Sequence, residues 1–227
     1  ADLGLATVDV VLGLAPDSNL FPLFHAGVPL SKFLPPTRYG FSILPASSGA
    51  SAMLNLSTGQ KLELLESMDG LEESLDYLIV DTGAGINDNV LQLVLASTET
   101  VVVTTPEPTA ILDAYALVKT INKHESAPPI RVVMNKADSK REAENAIFGF
   151  QGIIRKYLSK DVEALGYVLS DPEVSRSIKR QMPILLSHPG GPTARCIFGV
   201  AQALARLEPE EPRPQSTLSR FFSRLRR

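Results

Sequence analysis

Residues 77–85 read Tyr77-Leu78-Ile79-Val80-Asp81-Thr82-Gly83-Ala84-Gly85, an apolar run closed by a carboxylate and then by a glycine-rich turn. A continuous run of this length, rich in branched side chains, predicts a strand buried on both faces of a parallel sheet. In open α/β sheets the carboxyl ends of such strands open into the ligand crevice. An aspartate at that end, beside glycines that let backbone amides approach closely, is suited to Mg²⁺ and a nucleotide's phosphates. The same residues also fit an ordinary buried strand with Asp81 in its terminal turn, so the flanking sequence has to decide between the two.

Working outward, helical and strand periods alternate. Residues 39–45 (YGFSILP) predict a short strand. Residues 58–75 place Leu62, Leu65, Met68 and Leu71 at helical spacing, and Tyr77–Asp81 follows as a strand. Asn87 or Asp88 then caps a helix through Ala96, Thr100–Thr104 is a buried strand, and Pro108–Lys123 is a helix with proline in its first turn. Ile130–Asn135 is the next strand, Ser139–Leu158 a long helix, Glu163–Leu169 a last strand and 192–207 a last packed helix. Strands separated by crossover helices predict a doubly wound, mostly parallel α/β sheet. Ahead of this, Asp9 starts a short helix with an acidic cap, and residues 17–34 read as one helix broken by Pro22, Gly27 and Pro29.

The composition bounds what such a domain can do. The chain has 227 residues, 44% of them hydrophobic and 21% charged, which suits one large soluble α/β domain with a tail. A net charge of −3 speaks against general nucleic-acid binding. One cysteine, Cys196, excludes an intrachain disulfide framework and cysteine-rich metal sites, and points to a reducing cytosol. His25, His124 and His188 show no metal-ligand spacing. No stretch is long enough to span a bilayer, and no basic-then-apolar signal pattern opens the chain.

Three segments fall at the carboxyl ends of predicted strands: Asp81-Thr82-Gly83-Ala84-Gly85, Thr104-Thr105-Pro106-Glu107-Pro108 and Asn135-Lys136-Ala137-Asp138. Asn-Lys-x-Asp at a strand end supplies an amide and an acid that can read a purine edge, although a plain αβ turn fits the same four residues. Its place two strands after Asp81 favours a nucleotide site.

In combination these segments resemble a known family. DTGAG after an apolar strand, then TTPEPTAILDAYALVK and VVMNKADS, is similar to the MinD/ParA group of deviant-Walker P-loop ATPases, and within it to the FlhG type (FleN, YlxH) that regulates flagellar number. The opening ADLGLATVD resembles that family's switch I, with Thr7 where asparagine is usual, and FSILPASSG resembles the strand and loop that follow. The resemblance implies ATP and Mg²⁺ as cofactors. It implies that Asp2 positions the attacking water, that Asp9 is a second switch acid, and that Asp81 holds Mg²⁺ through water. Gly83 and Gly85 belong to the switch II turn at the γ-phosphate. Asn135 and Lys136 contact the base, and the loop Ser170-Asp171-Pro172-Glu173 flanks the adenine, with Asp171 and Pro172 in contact. The implied reaction is in-line attack of water on the γ-phosphate.

The family's K-G-G-x-G-K-T phosphate loop is not found in these residues, and no G-x-x-x-x-G-K-[ST] occurs. Its amides and lysines grip the phosphates. The expectation is that the chain is cut ahead of Ala1, that the intact protein is an ATPase, and that these residues alone bind ATP weakly or not at all.

Residues 208–215 (EPEEPRPQ) form a Pro-rich acidic linker between a domain over 1–207 and a tail over 216–227 (STLSRFFSRLRR). Leu218, Phe221, Phe222 and Leu225 share one helical face, with Arg220, Arg224 and Arg227 opposite and no acid among them. A short basic amphipathic helix of this kind lies on an anionic membrane surface. A helix docked back on the domain and a frayed basic terminus are the other readings. The resemblance places a membrane-targeting helix at this end and implies an ATP-bound homodimer at the inner face of the cytoplasmic membrane. It also implies a partner such as the FlhF GTPase or a flagellar switch or regulatory protein. The alternatives are a MinD- or ParA-type division-site or cargo-positioning ATPase, and a non-hydrolysing interaction module.

Overall fold

In the computed structural model the described residues are Leu12, 37–43, 75–206 and Arg224. Contacts divide the chain into two compact units, one of Ala1–Ala96 with Arg213–Arg227 and one of Ser97–Pro212.

In the second unit the predicted alternation is present. Strand β1 (Thr100–Thr104) pairs in parallel with β2 (Ile130–Ala137), and β2 with β3 (Glu163–Leu169), in the order β1-β2-β3. Helix α2 (Pro108–Ile121) links β1 to β2, and α3 (Lys140–Leu158) links β2 to β3. Two short helices, α4 (Pro172–Lys179) and α5 (Ile184–Ser187), precede α6 (Pro192–Arg206). Helix α1 (Asp88–Ala96) belongs to the first unit.

The sheet carries helices on both faces. Met134 and Ala137 of β2 pack on Ala143 and Ile147 of α3, with Ile111 of α2 and Tyr167 of β3 against them. Met134 and Tyr167 are register partners and share that face, whereas Val133 and Gly166 are partners on the opposite face. There α6 closes in: a Cβ at Gly166 would lie 3.1 Å from Val200 Cγ2, and Gly166 takes φ +145°. Glycine serves here both the close approach and the backbone conformation. Across the end of the sheet, Arg131 of β2 is paired with Glu99, just before β1, and with Glu163, the first residue of β3, with only 14% of its side chain exposed.

Local chemistry sets the helix ends. Ser139 caps α3 by accepting from the Glu142 N–H at 3.2 Å, while the Glu142 carboxylate accepts from the Asp138 N–H at 2.6 Å, a variant of the reciprocal capping box. Ser159 ends α3 in the left-handed conformation, φ +51°. Asn87, one of the two residues expected to start α1, is the cap: its Oδ1 accepts from the Val90 N–H at 2.9 Å.

Two expected strands are corrected. Residues 77–81 form no strand, and Tyr77, Leu78 and Ile79 are exposed, Ile79 by 82%. Among the described residues no ladder partner pairs with this run. An apolar β-former becomes a strand only where a neighbour supplies its hydrogen bonds and a layer covers its face. Residues 39–43 of the expected strand 39–45 likewise form no strand, and Thr37–Phe41 make a tight turn. The Gly40 N–H donates to the Thr37 carbonyl at 3.1 Å, the Thr37 N–H donates to the Phe41 carbonyl at 2.7 Å, and Gly40 takes φ +83°. Residues 44 and 45, and the helices expected from Asp9, over 17–34 and over 58–75, lie outside the described residues apart from the buried Leu12 and from Leu75, which is not helical.

Candidate nucleotide site

The residues expected to meet the base stand where β2 and β3 end. The β2–β3 ladder is irregular between Met134 and Ala137, and inside that irregularity Lys136 takes φ +56°. A bulge with a left-handed residue turns the strand end and re-aims its side chains, which is how many binding sites interrupt a ladder. Asn135 Oδ1 accepts from the Lys136 N–H at 2.9 Å, so its amide is held against the backbone of the turn. Asn135 is half-buried and Lys136 is exposed.

One strand over, Asp171 is half-buried and caps α4. Its Oδ1 accepts from the Glu173 N–H at 2.9 Å, and Pro172 occupies the first helical position with its ring exposed. The segment expected as a loop, Ser170–Glu173, is therefore the start of a helix. The two strand ends are bonded directly, the Ser170 N–H donating to the Ala137 carbonyl at 2.8 Å. Asn135, Lys136, Asp171 and Pro172 thus stand on adjacent, cross-linked turns at the carboxyl end of the strands.

Residues 81–85 sit in the other unit. Asp81 is exposed, Gly83 is half-buried and Gly85 takes φ +100° with open space where a Cβ would lie, so glycine there serves backbone conformation. A single accessible carboxylate fits the chemistry of Mg²⁺, which takes one or two carboxylates and completes its shell with water and phosphate oxygens. Asp2, Asp9, Leu218, Arg220, Phe221, Phe222 and Leu225 lie outside the described residues. Arg224 donates from Nη1 to the Leu95 carbonyl at 3.3 Å, in the last turn of α1, where carbonyls lack helical partners.

One residue packed behind these turns escaped the sequence reading. Thr193, in the first turn of α6, is 1% exposed, and its hydroxyl reaches Leu169 and Asp171. The Gly191-Pro192 pair before it marks only the helix start, where the Gly191 carbonyl accepts the Arg195 N–H and Pro192 opens α6; it carries no sign of the hydroxyl's partners.

The family described as "ParA: NUBPL iron-transfer P-loop NTPase" matches residues 63–205. The chain is 33% identical over 225 residues to "Antiactivator FleN" of Pseudomonas aeruginosa, covering 99% of this chain and 80% of that protein. The chain belongs to the ParA/MinD family of P-loop NTPases. A second relative in this family, "Flagellum site-determining protein YlxH" of Helicobacter pylori, is 27% identical, with 99% of this chain and 77% of that protein covered. Among solved structures, the septum site-determining protein MinD complexed with Mg-ADP from Pyrococcus horikoshii superposes with a TM-score of 0.64. It is 20% identical, with 91% of this chain and 81% of that chain covered. The ParA/MinD fold is thus the one this sequence adopts, and the parallel β1-β2-β3 sheet with helices on both faces is its described portion.

Proposed function

We propose that this protein is a MinD-like ATPase of the FlhG type, an ATP-dependent switch that regulates flagellar number or placement. The observation that carries the nucleotide reading is the bonded pair of turns holding Asn135–Lys136 and Asp171–Pro172 at the carboxyl ends of adjacent parallel strands. The flagellar role rests on the likeness to FleN and YlxH.

In this reading Asn135 and Lys136 meet one edge of the adenine and Asp171–Pro172 flank its face. Asp81 would hold Mg²⁺, Gly83 and Gly85 would let backbone amides reach the γ-phosphate, and Asp2 would orient the attacking water, with Asp9 as the second switch acid. Bound Mg²⁺ neutralises charge on the phosphate oxygens. These residues contribute chiefly position and electrostatics, as phosphoryl transfer requires. Because no G-x-x-x-x-G-K-[ST] occurs in the 227 residues, they alone hold ATP weakly.

Nucleotide-bound protomers pair, and the basic amphipathic segment 216–227 holds the dimer at the membrane. Each short helix binds reversibly, so pairing strengthens attachment through avidity. No helix among the described residues is long and apolar enough to cross a membrane. The iron-transfer role in the family's description is not favoured, since a lone half-buried Cys196 offers one thiolate per chain and iron–sulfur clusters take several.

Deleting the gene in the host cell and counting flagella tests the role. Altered number or placement, restored by the wild-type gene and not by Asp81→Ala, is the expected result. Unchanged flagellation overturns the assignment.

A further inference from the structure

We infer that Thr193 is a positioning residue for the base side of the nucleotide site, an inference that rests on the reading of Asn135 and Asp171–Pro172 given above. Thr193 follows the Gly191-Pro192 turn and is buried to 1% exposure. Its Oγ1 lies 3.0 Å from the Leu169 carbonyl and 3.3 Å from Asp171 Oδ2. A hydroxyl has one proton, so the O–H is shared between two acceptors, and both belong to the segment leaving β3.

Asp171 is thereby held from two sides. Oδ1 accepts from the Glu173 N–H in the first turn of α4, and Oδ2 faces the hydroxyl in the first turn of α6. A carboxylate fixed at both oxygens cannot swing, and it sets the direction in which Pro172 leaves the sheet. The next bond back along the chain, Ser170 N–H to the Ala137 carbonyl, carries the same constraint to the turn of Asn135 and Lys136. One hydroxyl on a helix distant in sequence thus fixes the spacing between the two segments that meet the base. A threonine needed only to satisfy its own buried oxygen would require the Leu169 carbonyl alone. The second acceptor, the carboxylate of the base-flanking turn itself, distinguishes a positioning role.

The consequence is specificity more than strength. Pre-organised turns discriminate between base edges because a misfit leaves polar atoms unpaired, whereas mobile turns adapt to either base. Phosphate-side contacts are untouched, so turnover at saturating nucleotide does not depend on Thr193.

The test uses the full-length protein, titrated calorimetrically with Mg-ADP and with Mg-GDP, for wild type, Thr193→Val and Thr193→Ser. Valine keeps the shape and removes the hydroxyl, whereas serine keeps the hydroxyl. We expect valine to weaken ADP binding about tenfold and to narrow the ADP-over-GDP preference, as loss of a hydrogen bond to a charged group implies. Serine stays within about twofold of wild type on the same scale, and ATP turnover at saturation is unchanged in both. A folded valine variant with the wild-type ADP affinity and the wild-type preference overturns the inference. If valine does not fold, Thr193→Cys, a weak donor of similar size, makes the same comparison, and an unchanged preference is again fatal. A wild-type protein that binds neither nucleotide overturns the reading of the site itself and the inference with it. Wild-type binding beside an unaffected variant overturns the inference alone.

Discussion

The backbone N–H of Ser170 donates to the carbonyl of Ala137 at 2.8 Å, bonding the turns that leave two adjacent parallel strands at the point where both strands end. Beyond this bond the chains diverge, β2 (past the left-handed Lys136 of its bulge) into the Ser139 cap of α3 and β3 into the Asp171 cap of α4. A crevice between strand ends is held open or closed by bonds of this type. Replacing Ser170 by proline removes the donor and tests whether the two turns act together. The expected result is weaker Mg-ADP binding by about three- to thirtyfold, the cost of one hydrogen bond, with the fold retained.

Gly166 and Val200 define the contact between β3 and α6. With φ +145° and only 3.1 Å from a built Cβ to Val200, alanine at 166 is strained in backbone and in packing. Gly166→Ala is expected to cost about 1–3 kcal/mol in chemical denaturation. Adding Val200→Ala recovers the packing part of the loss and leaves the backbone part. Full recovery would show that glycine's conformation is not required there.

Arg131 separates two acids of unequal burial. Glu99 is 29% exposed in its side chain and Glu163 56%, against 14% for Arg131. Glu99→Gln is therefore expected to destabilise by about 1–2 kcal/mol, and Glu163→Gln by under about 1 kcal/mol, because the second pair is screened by water. Denaturation midpoints at low and at 1 M salt check this ranking, and salt should erase the Glu163 effect first.

Ser139 accepts from the Glu142 N–H, and Glu142 answers toward Asp138. Ser139→Ala is expected to cost about 1 kcal/mol of stability. Since the cap directly follows Asn135–Asp138, the same variant should weaken nucleotide binding slightly. A stability loss with no change in binding would separate the helix start from the site.

The tail prediction concerns the membrane. Phe221→Glu with Phe222→Glu is expected to abolish co-sedimentation with anionic liposomes, and removal of residues 216–227 to do the same. Unchanged binding after either change refutes the anchor.

The alternation from Asn87 to Leu169, and the last helix α6, were legible because those helices carry local signals at Asn87, Pro108, Ser139 and Pro192, whereas the short α4 and α5 were not expected. Asn135 was placed at a strand end by the apolar run that precedes it, whereas Asp171 was reached only through the family resemblance. Tyr77–Asp81 misled, because a strand is a property of a pair and the apolar run by itself states only half of it. The left-handed turn at Lys136 left no mark, since lysine rarely takes that conformation and only tertiary context holds it there. Thr193 left none either: its two acceptors are brought to it by the packing of α6 on β3, which no spacing in the sequence encodes.

The central claim is that Asp81 serves a Mg²⁺-dependent ATPase. Its most direct test is the ATP hydrolysis rate of the full-length protein with and without Mg²⁺, for wild type and Asp81→Ala. The account predicts Mg²⁺-dependent hydrolysis by the wild type and a loss of roughly a hundredfold or more in the variant. Absence of hydrolysis by the wild type, or an Asp81→Ala rate equal to it, would contradict the account.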